Sequence, residues 1–314
     1  MRCSAQWNSP VEYVGEKAHG SSTTCERCGR RTPTSSATES GQCDEHPKTH
    51  ASYVTLAGAG FAEPPRFTFR QRCEAASAVG FARIGIHLND LKTLKSADVA
   101  DILSDNNLEL GEIEFFAGWA APGAESATRA TLEKVRELAA TTGGGDHLSS
   151  GDFVGGPLDI DGAATRLNDA AEAVADVGLD IAVEAFAWSA INSVPTTSAL
   201  LARADARNAG HLLDVWHFYN AGSTADAITN LDVTTVAAVQ LNDGPRVHDN
   251  YLWNARNTRL LPGEGDLDVS GFLSALKSIG YDGPFGIESS YPEFRQLDVD
   301  EAAARAFDAT MKFF

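Results

Sequence analysis

From residue 51 onward, short apolar runs alternate with amphipathic stretches. The runs SYVTLAG (52–58), ARIGIHL (82–88), LELGEIEFF (108–116), DHLSSG (146–151), LDIAVEAF (179–186), GHLLDV (210–215), VAAVQLN (236–242) and PFGIES (284–289) have the length of strands. They are apolar on both faces, as parallel strands covered by helices must be. Between them apolar residues recur at spacings of three and four. Ala164, Leu167, Ala171 and Val174 mark one such buried helical face. VSGFLSALKSIGYDG reads as a helix stopped by Gly280, leading through Asp282-Gly283-Pro284 into the next strand. Eight strand–helix units over about 260 residues predict an α/β fold, a (β/α)8 TIM barrel, spanning 51–314. A doubly wound open sheet fits less well. LAGAGFAEP holds Gly58 and Gly60 without the full dinucleotide-binding fingerprint.

Residues 1–50 follow no such pattern. GSSTTCERCGRRTPTSSATESGQCDEHPKTH is polar and charged and cannot bury enough surface to form a core of its own. Four of the five cysteines lie in the first 43 residues, and the fifth, Cys73, falls in a helical stretch. CERCG and CDEH place Cys25, Cys28, Cys43 and His46 at spacings that suit a structural Cys3His zinc site. The alternative is a disordered, polar, Cys-containing N-terminal extension. This distribution of cysteines speaks for a reducing compartment. The N-terminus has no apolar core of signal-peptide length and no stretch approaches a membrane span, so a cytoplasmic protein with no membrane partner is expected. The formal net charge of −18 argues against nucleic acid as a partner.

In a barrel, chemistry gathers at the C-terminal ends of the strands. The last four runs carry Glu184, Asp214, Gln240 and Glu288 at or near those ends. Three carboxylates converging on one mouth repel and raise each other's pKa, a conflict that a divalent cation removes. The oxygen-rich set suits Mn²⁺ or Mg²⁺, with Zn²⁺, Co²⁺ or Fe²⁺ also compatible. His217, three residues beyond Asp214, is expected to contact substrate or support the metal, and His87 and His147 to line the same cavity. Arg259, in RLLPGEGDLD, is positioned to grip an anionic or polarised substrate group. Trp119, Trp188, Trp216 and Trp253 are candidates for pocket walls, with Trp188 the strongest.

VEAFAW, LLDVWHFYNAG, VQLNDG and RLLPGEGDLDVSGFLSALKSIGYDGPFGIES resemble the xylose-isomerase-like TIM-barrel superfamily of sugar phosphate isomerases and epimerases. The resemblance covers about residues 52–314 and is strongest in the second half. It implies one divalent metal held by Glu184, Asp214, Gln240 and Glu288, an Asp-x-x-His element at Asp214 and His217, and a functional Arg259. Many members carry His at the seventh strand. The Gln form with Pro-Gly-x-Gly-Asp is similar to the 3-dehydroshikimate dehydratase branch. That branch has a histidine a few residues beyond the strand-five Trp, where this chain reads WSAINSV.

These readings together predict a metal-dependent isomerase or epimerase of a sugar or polyhydroxylated keto compound. The expected path is a metal-stabilised enediolate, with Glu184, Glu288 and His217 as the proton-handling groups. A dehydratase is the alternative, because loss of a β-hydroxyl starts from the same enolate. A non-catalytic sugar-binding barrel is a rival of another class. An apurinic endonuclease would want more histidines and a basic face. The expected partner is a small polyhydroxylated molecule, and a homo-oligomer is compatible with the sequence.

Overall fold

A computed structural model describes residues 48–153 and 155–314. Eight parallel strands close into a barrel in the order of the chain. They are β1 (Thr49–Ala51), β2 (Arg83–His87), β3 (Glu109–Ala117), β4 (His147–Gly151), β5 (Asp180–Glu184), β6 (Ala209–Asp214), β7 (Val236–Leu241) and β8 (Phe285–Ile287). β8 pairs back onto β1, His50 opposite Gly286, and closes the ring. The helices are α1 (Tyr53–Ala57), α2 (Phe69–Val79), α3 (Ser96–Asp105), α4 (Glu125–Thr142), α5 (Ile160–Ala175), α6 (Val194–Ala204), α7 (Val215–Asn220), α8 (Asp226–Thr229), α9 (Tyr251–Asn257), α10 (Val269–Ser278) and α11 (Val299–Met311).

Local chemistry sets these boundaries. α2 opens with a reciprocal box in which Thr68 accepts from Gln71 N and Gln71 accepts from Thr68 N. Ser193 and Asp268 cap α6 and α10 through side-chain oxygens. The faces that α3, α4 and α5 bury, among them Val99, Leu138 and Leu167, pack against Ile86, Ile113, Leu148 and Ile181 of the strands. A second cluster joins Leu213, Val239 and Leu241 to Phe272 and Leu276 of α10. Truncating a fully buried core residue such as Leu138 to Ala costs about 3 kcal/mol. The apolar core is therefore the layer between strands and helices. The barrel interior holds polar side chains beside a small apolar cluster of Ala182, Leu212 and Ala238: His50, Glu112, His147 and Gln240 are all 2% exposed or less.

Two expectations are corrected. SYVTLAG is not the first strand. Tyr53–Ala57 is a short, wholly buried helix after an extended Ser52, ended by Gly58 at φ 61°. A continuous apolar run reads alike for a buried strand and a buried helix. The true β1, Thr-His-Ala, is too short and too polar to stand out in the hydrophobic pattern. The barrel consequently starts at Thr49, inside the segment expected to be extension. The proposed zinc ligands Cys25, Cys28, Cys43 and His46 lie outside the described residues.

Candidate metal centre at the barrel mouth

Glu184 is the last residue of β5, and Asp214 ends β6 and caps α7. Gln240 lies near the end of β7, and Glu288 follows β8 directly. Asp214 Oδ1 accepts from the backbone N–H of His217 at 2.8 Å. Its Oδ2 accepts from Asn242 Nδ2 at 2.5 Å and from Arg259 Nη1 at 3.2 Å. Arg259 is 4% exposed, and the same Nη1 lies 2.6 Å from Glu288 Oε2. Its Nη2 lies 3.4 Å from His217 Nε2, which is also 3.4 Å from Glu184 Oε1. Glu184, Asp214 and His217 each offer an atom within 4.8 Å of the others'.

Burial first, then the charges of Glu288 and Asp214, pushes the Glu184 carboxyl well above its ordinary range. Burial raises Glu288 to about 8; Arg259 opposes that rise, and Asp214 and Glu112 add to it. Burial raises Asp214 too, against the pull of Arg259. Burial, reinforced by Arg259, holds His217 well below the usual histidine range, so its ring is neutral. A guanidinium only donates, so His217 Nε2 faces it as an acceptor, which puts the ring proton on Nδ1.

Glu184 Oε1 and Gln240 Oε1 are buried and accept no hydrogen bond, and Glu288 Oε2 is buried with Arg259 Nη1 as its close partner. Two unpartnered oxygens beside the Glu288 and Asp214 carboxylates are the donor set of a hard or borderline divalent cation, so these residues fit such an ion.

The site opens into a cavity of about 270 Å³. Glu184, His217, Gln240, Glu288, Arg259, Trp188 and His87 all line it. Phe153, Phe186 and Trp188 form one wall: Phe186 stacks on Phe153 at 5.1 Å and on Trp188 at 4.9 Å. The ring of His217 meets this wall edge-on, 4.9 Å from Phe186. Burial lowers His87 to about 4, and its Nδ1 accepts from Asn89 N.

Other expected residues fall elsewhere. His147 does not reach the cavity. It opens β4, fully buried, 3.3 Å from Glu112 Oε1. A histidine at the start of a barrel strand lies below the mouth, where sequence spacing alone could not place it. Trp119 and Trp216 are fully buried core, and Trp253 is 61% exposed on α9; none lines the cavity.

Sequence reasoning also missed residues. Glu114 on β3 lines the cavity and accepts from Tyr53 N at 2.5 Å. Burial, then Glu112 and Glu288, pushes its carboxyl well above its ordinary range. Gly85 makes room for it, since a Cβ there would lie 2.8 Å from Glu114 Oε1. Below it, burial would raise Glu112, but contacts from His147 and His50 outweigh that and hold it well below the usual range. The available signal was the three acids of LELGEIEFF, with Glu112 and Glu114 at alternate positions in its middle. Asn242, which ties Asp214 to the Trp216 N–H, was hidden in VQLND.

A sequence profile described as a xylose isomerase-like TIM barrel matches residues 73–313, and the chain belongs to that family. Among curated proteins, 3-dehydroshikimate dehydratase of Pseudomonas aeruginosa is 29% identical over 73% of this chain, and the match spans 37% of that protein's length. Inosose isomerase of Bacillus subtilis is 28% identical over 48% of this chain and 54% of its own. Among solved structures, the IolI protein with a bound zinc atom superposes with a TM-score of 0.72 at 18% identity, covering 85% of this chain and 99% of that one. Among the described residues, no helix is long and apolar enough to cross a membrane.

Proposed function

We propose that this barrel is a divalent-metal-dependent isomerase or epimerase of a small polyhydroxylated keto compound. The observation that carries the reading is the pair of unpartnered buried oxygens on Glu184 and Gln240, with the buried carboxylates of Glu288 and Asp214 beside them. A cation bound there would act as a Lewis acid on a carbonyl and its neighbouring hydroxyl, favouring loss of the adjacent C–H proton. Mn²⁺ or Mg²⁺ suits the oxygen-rich set, and Zn²⁺ is supported by the zinc atom in IolI.

The chain's own groups supply the rest. Glu184 and Glu288, from β5 and β8, bracket the cation position and can take and return a carbon-bound proton. Neutral His217 directs its Nδ1–H as a hydrogen-bond donor, because Nε2 faces Arg259. Arg259, buried at 4% exposure, holds Asp214 and Glu288 in place from 3.2 and 2.6 Å and lines the cavity where a substrate oxygen would lie. The wall of Phe153, Phe186 and Trp188 gives a planar apolar face against which a ring or carbon chain can lie, and excludes water from the proton transfer. A cavity of about 270 Å³ suits one small molecule.

Dehydration is the second reading. It is favoured by Gln240 and by the dehydratase relative that matches 73% of this chain. Glu114, which lines the cavity with its carboxyl raised by burial, could protonate a departing hydroxyl. The test is to load the protein with Mn²⁺ and incubate it with ketoses, inosose-type cyclitols and dehydroshikimate in deuterated water. Deuterium entering beside the carbonyl with the carbon skeleton and mass otherwise intact supports isomerisation or epimerisation. Loss of one water supports the dehydratase. No exchange on any substrate that binds would leave a sugar-binding barrel as the reading.

A further inference from the structure

The polar layer beneath the mouth touches the candidate metal centre at one residue, Gln240. Glu112 Oε1 accepts from Gln240 Nε2 at 2.9 Å and lies 3.3 Å from His147 Nε2. Glu112 Oε2 accepts from Ser52 Oγ at 2.8 Å and faces His50 Nε2 at 3.2 Å. Every residue of this layer is buried, and Gly286 keeps it open: a Cβ there would sit 2.8 Å from His50 Nε2.

We infer that Glu112 is a positioning residue that fixes the side-chain amide of Gln240 with its carbonyl oxygen toward the cation position. The inference rests on the proposed function for the existence of that centre. An amide has two faces of nearly equal shape, and only its oxygen can ligate a hard cation. Glutamine is therefore a poor ligand unless something decides which way it points. A carboxylate accepts and does not donate, so the amide nitrogen must be the atom that faces Glu112. The opposite orientation would set carbonyl oxygen against carboxylate oxygen. The remaining atom, Gln240 Oε1, has no hydrogen-bond partner.

His50, Glu112 and His147 also have the residue types of a metal triad. Their geometry favours the positioning role. Both Glu112 oxygens already accept a hydrogen bond, Oε1 from Gln240 and Oε2 from Ser52, and Nδ1 of both histidines is without a partner. A metal-bound imidazole almost always hands its second N–H to an acceptor.

The experiment is calorimetric titration of the full-length, chelator-stripped protein with Mn²⁺ alone. Glu112→Met removes the acceptor and should weaken the Kd by about 10–100-fold, the usual scale for a residue that orients a ligand. Glu112→Gln, which can still turn a carbonyl oxygen to the amide, should keep most of the affinity. The double variant Glu112→Met/Gln240→Glu should recover it, because a carboxylate presents oxygen in either orientation. Ser52→Ala, a control for damage to the layer, should leave the Kd unchanged.

A wild-type Kd in Glu112→Met overturns the inference. So does a Glu112→Gln variant as weak as Glu112→Met, which would make the charge rather than the orientation decisive. If wild type fails to bind Mn²⁺, or Glu288→Gln binds it as well as wild type, the metal centre itself is wrong and this inference falls with it. Should Glu112→Met fail to fold, wild type carrying nitrogen-labelled glutamine decides. The Gln240 Nε2 protons should be protected from exchange with and without Mg²⁺, and free exchange would overturn the assignment.

Discussion

Glu112, in the middle of β3, and Glu288, just past β8, are buried in the same barrel, at 0% and 5% exposure. Their surroundings differ. Glu112 accepts from Ser52 and Gln240 and lies 3.2 and 3.3 Å from the Nε2 atoms of His50 and His147, and its carboxyl is held down despite burial. Glu288 has one cation, Arg259, shared with Asp214, and burial with two neighbouring acids lifts it to about 8. The first acid is satisfied within the fold, and the second is left in deficit. A deficit of this kind costs stability and persists where something outside the chain relieves it. On the proposed reading the lower layer is framework and the upper layer is site, although both are built from glutamate and histidine.

The largest effect expected from this contrast is at Glu288. Glu288→Gln should weaken Mn²⁺ binding at least about 100-fold and abolish turnover, because it removes a ligand and a proton-handling group together. The metal-free protein should melt no lower than wild type, since a neutral amide replaces a carboxyl that burial and its neighbours lift to about 8. Asp214→Asn should likewise lose metal and activity. A fully retained metal content in both variants, read by elemental analysis, would make the mouth acids structural.

Arg259→Ala should follow in size. In metal-free protein it leaves two buried acids without their cation, and truncating one partner of such a group costs about 3–5 kcal/mol. With Mn²⁺ present the ion takes over the neutralisation, so the loss in melting temperature should shrink while kcat/KM stays depressed. An equal stability loss with and without metal, accompanied by normal kinetics, would place Arg259 with the framework.

The pH dependence separates the layers further. Glu288 must lose its proton to ligate, so Mn²⁺ affinity should rise by about tenfold per pH unit toward about 8 and then level off. Its folded pKa lies above the ordinary carboxyl value of 4.5. The stability it contributes is present below that value and lost as pH rises through about 8. From this group, metal-free protein should weaken over that range, and saturation with Mn²⁺ should abolish the trend. A pH-independent Kd measured by calorimetry between pH 6 and 8 would remove the raised carboxyl from the site.

The sequence made the second half of the barrel readable because its chemistry sits at strand ends. Glu184, Asp214, Gln240 and Glu288 recur about one strand–helix unit apart, and no core argument asks for them there. The first half hides its chemistry inside strands. Glu112 and Glu114 interrupt an apolar run, and a register shift in β3 separates strand position from depth in the barrel. His50 sits in a three-residue strand at the end of a segment whose composition argued against any fold. The apolar pattern placed seven strands and failed at the first, where a buried helix imitates a strand. Which side chain meets which, as with Gln240 and Glu112 from distant strands, follows from closure of the barrel and is not encoded in local spacing.

The smallest expected effect lies outside the barrel ring, at His211. It is 2% exposed, with Nε2 3.1 Å from Ser198 Oγ on α6, in the layer between strands and helices. Burial lowers it to about 4 from the histidine value of 6.5. Its sign is opposite to that of Glu288. The unfolded chain takes up a proton below about 6.5, and the folded chain only below about 4. The stability from keeping this ring neutral is therefore full above about 6.5 and is lost as pH falls toward about 4. His87 is lowered to about 4 in the same way, by burial, so the two act together on the acid side. His211→Gln keeps a hydrogen-bonding partner for Ser198 and cannot titrate. It should shrink the fall in melting temperature between pH 6.5 and 4.5, by about 2–4 °C for each kcal/mol removed. Mn²⁺ affinity should not change, because His211 faces the helices and not the mouth. If the acid-side loss is as steep in His211→Gln as in wild type, the acid sensitivity belongs to the mouth acids and their ligand, and the layer outside the barrel has no part in it.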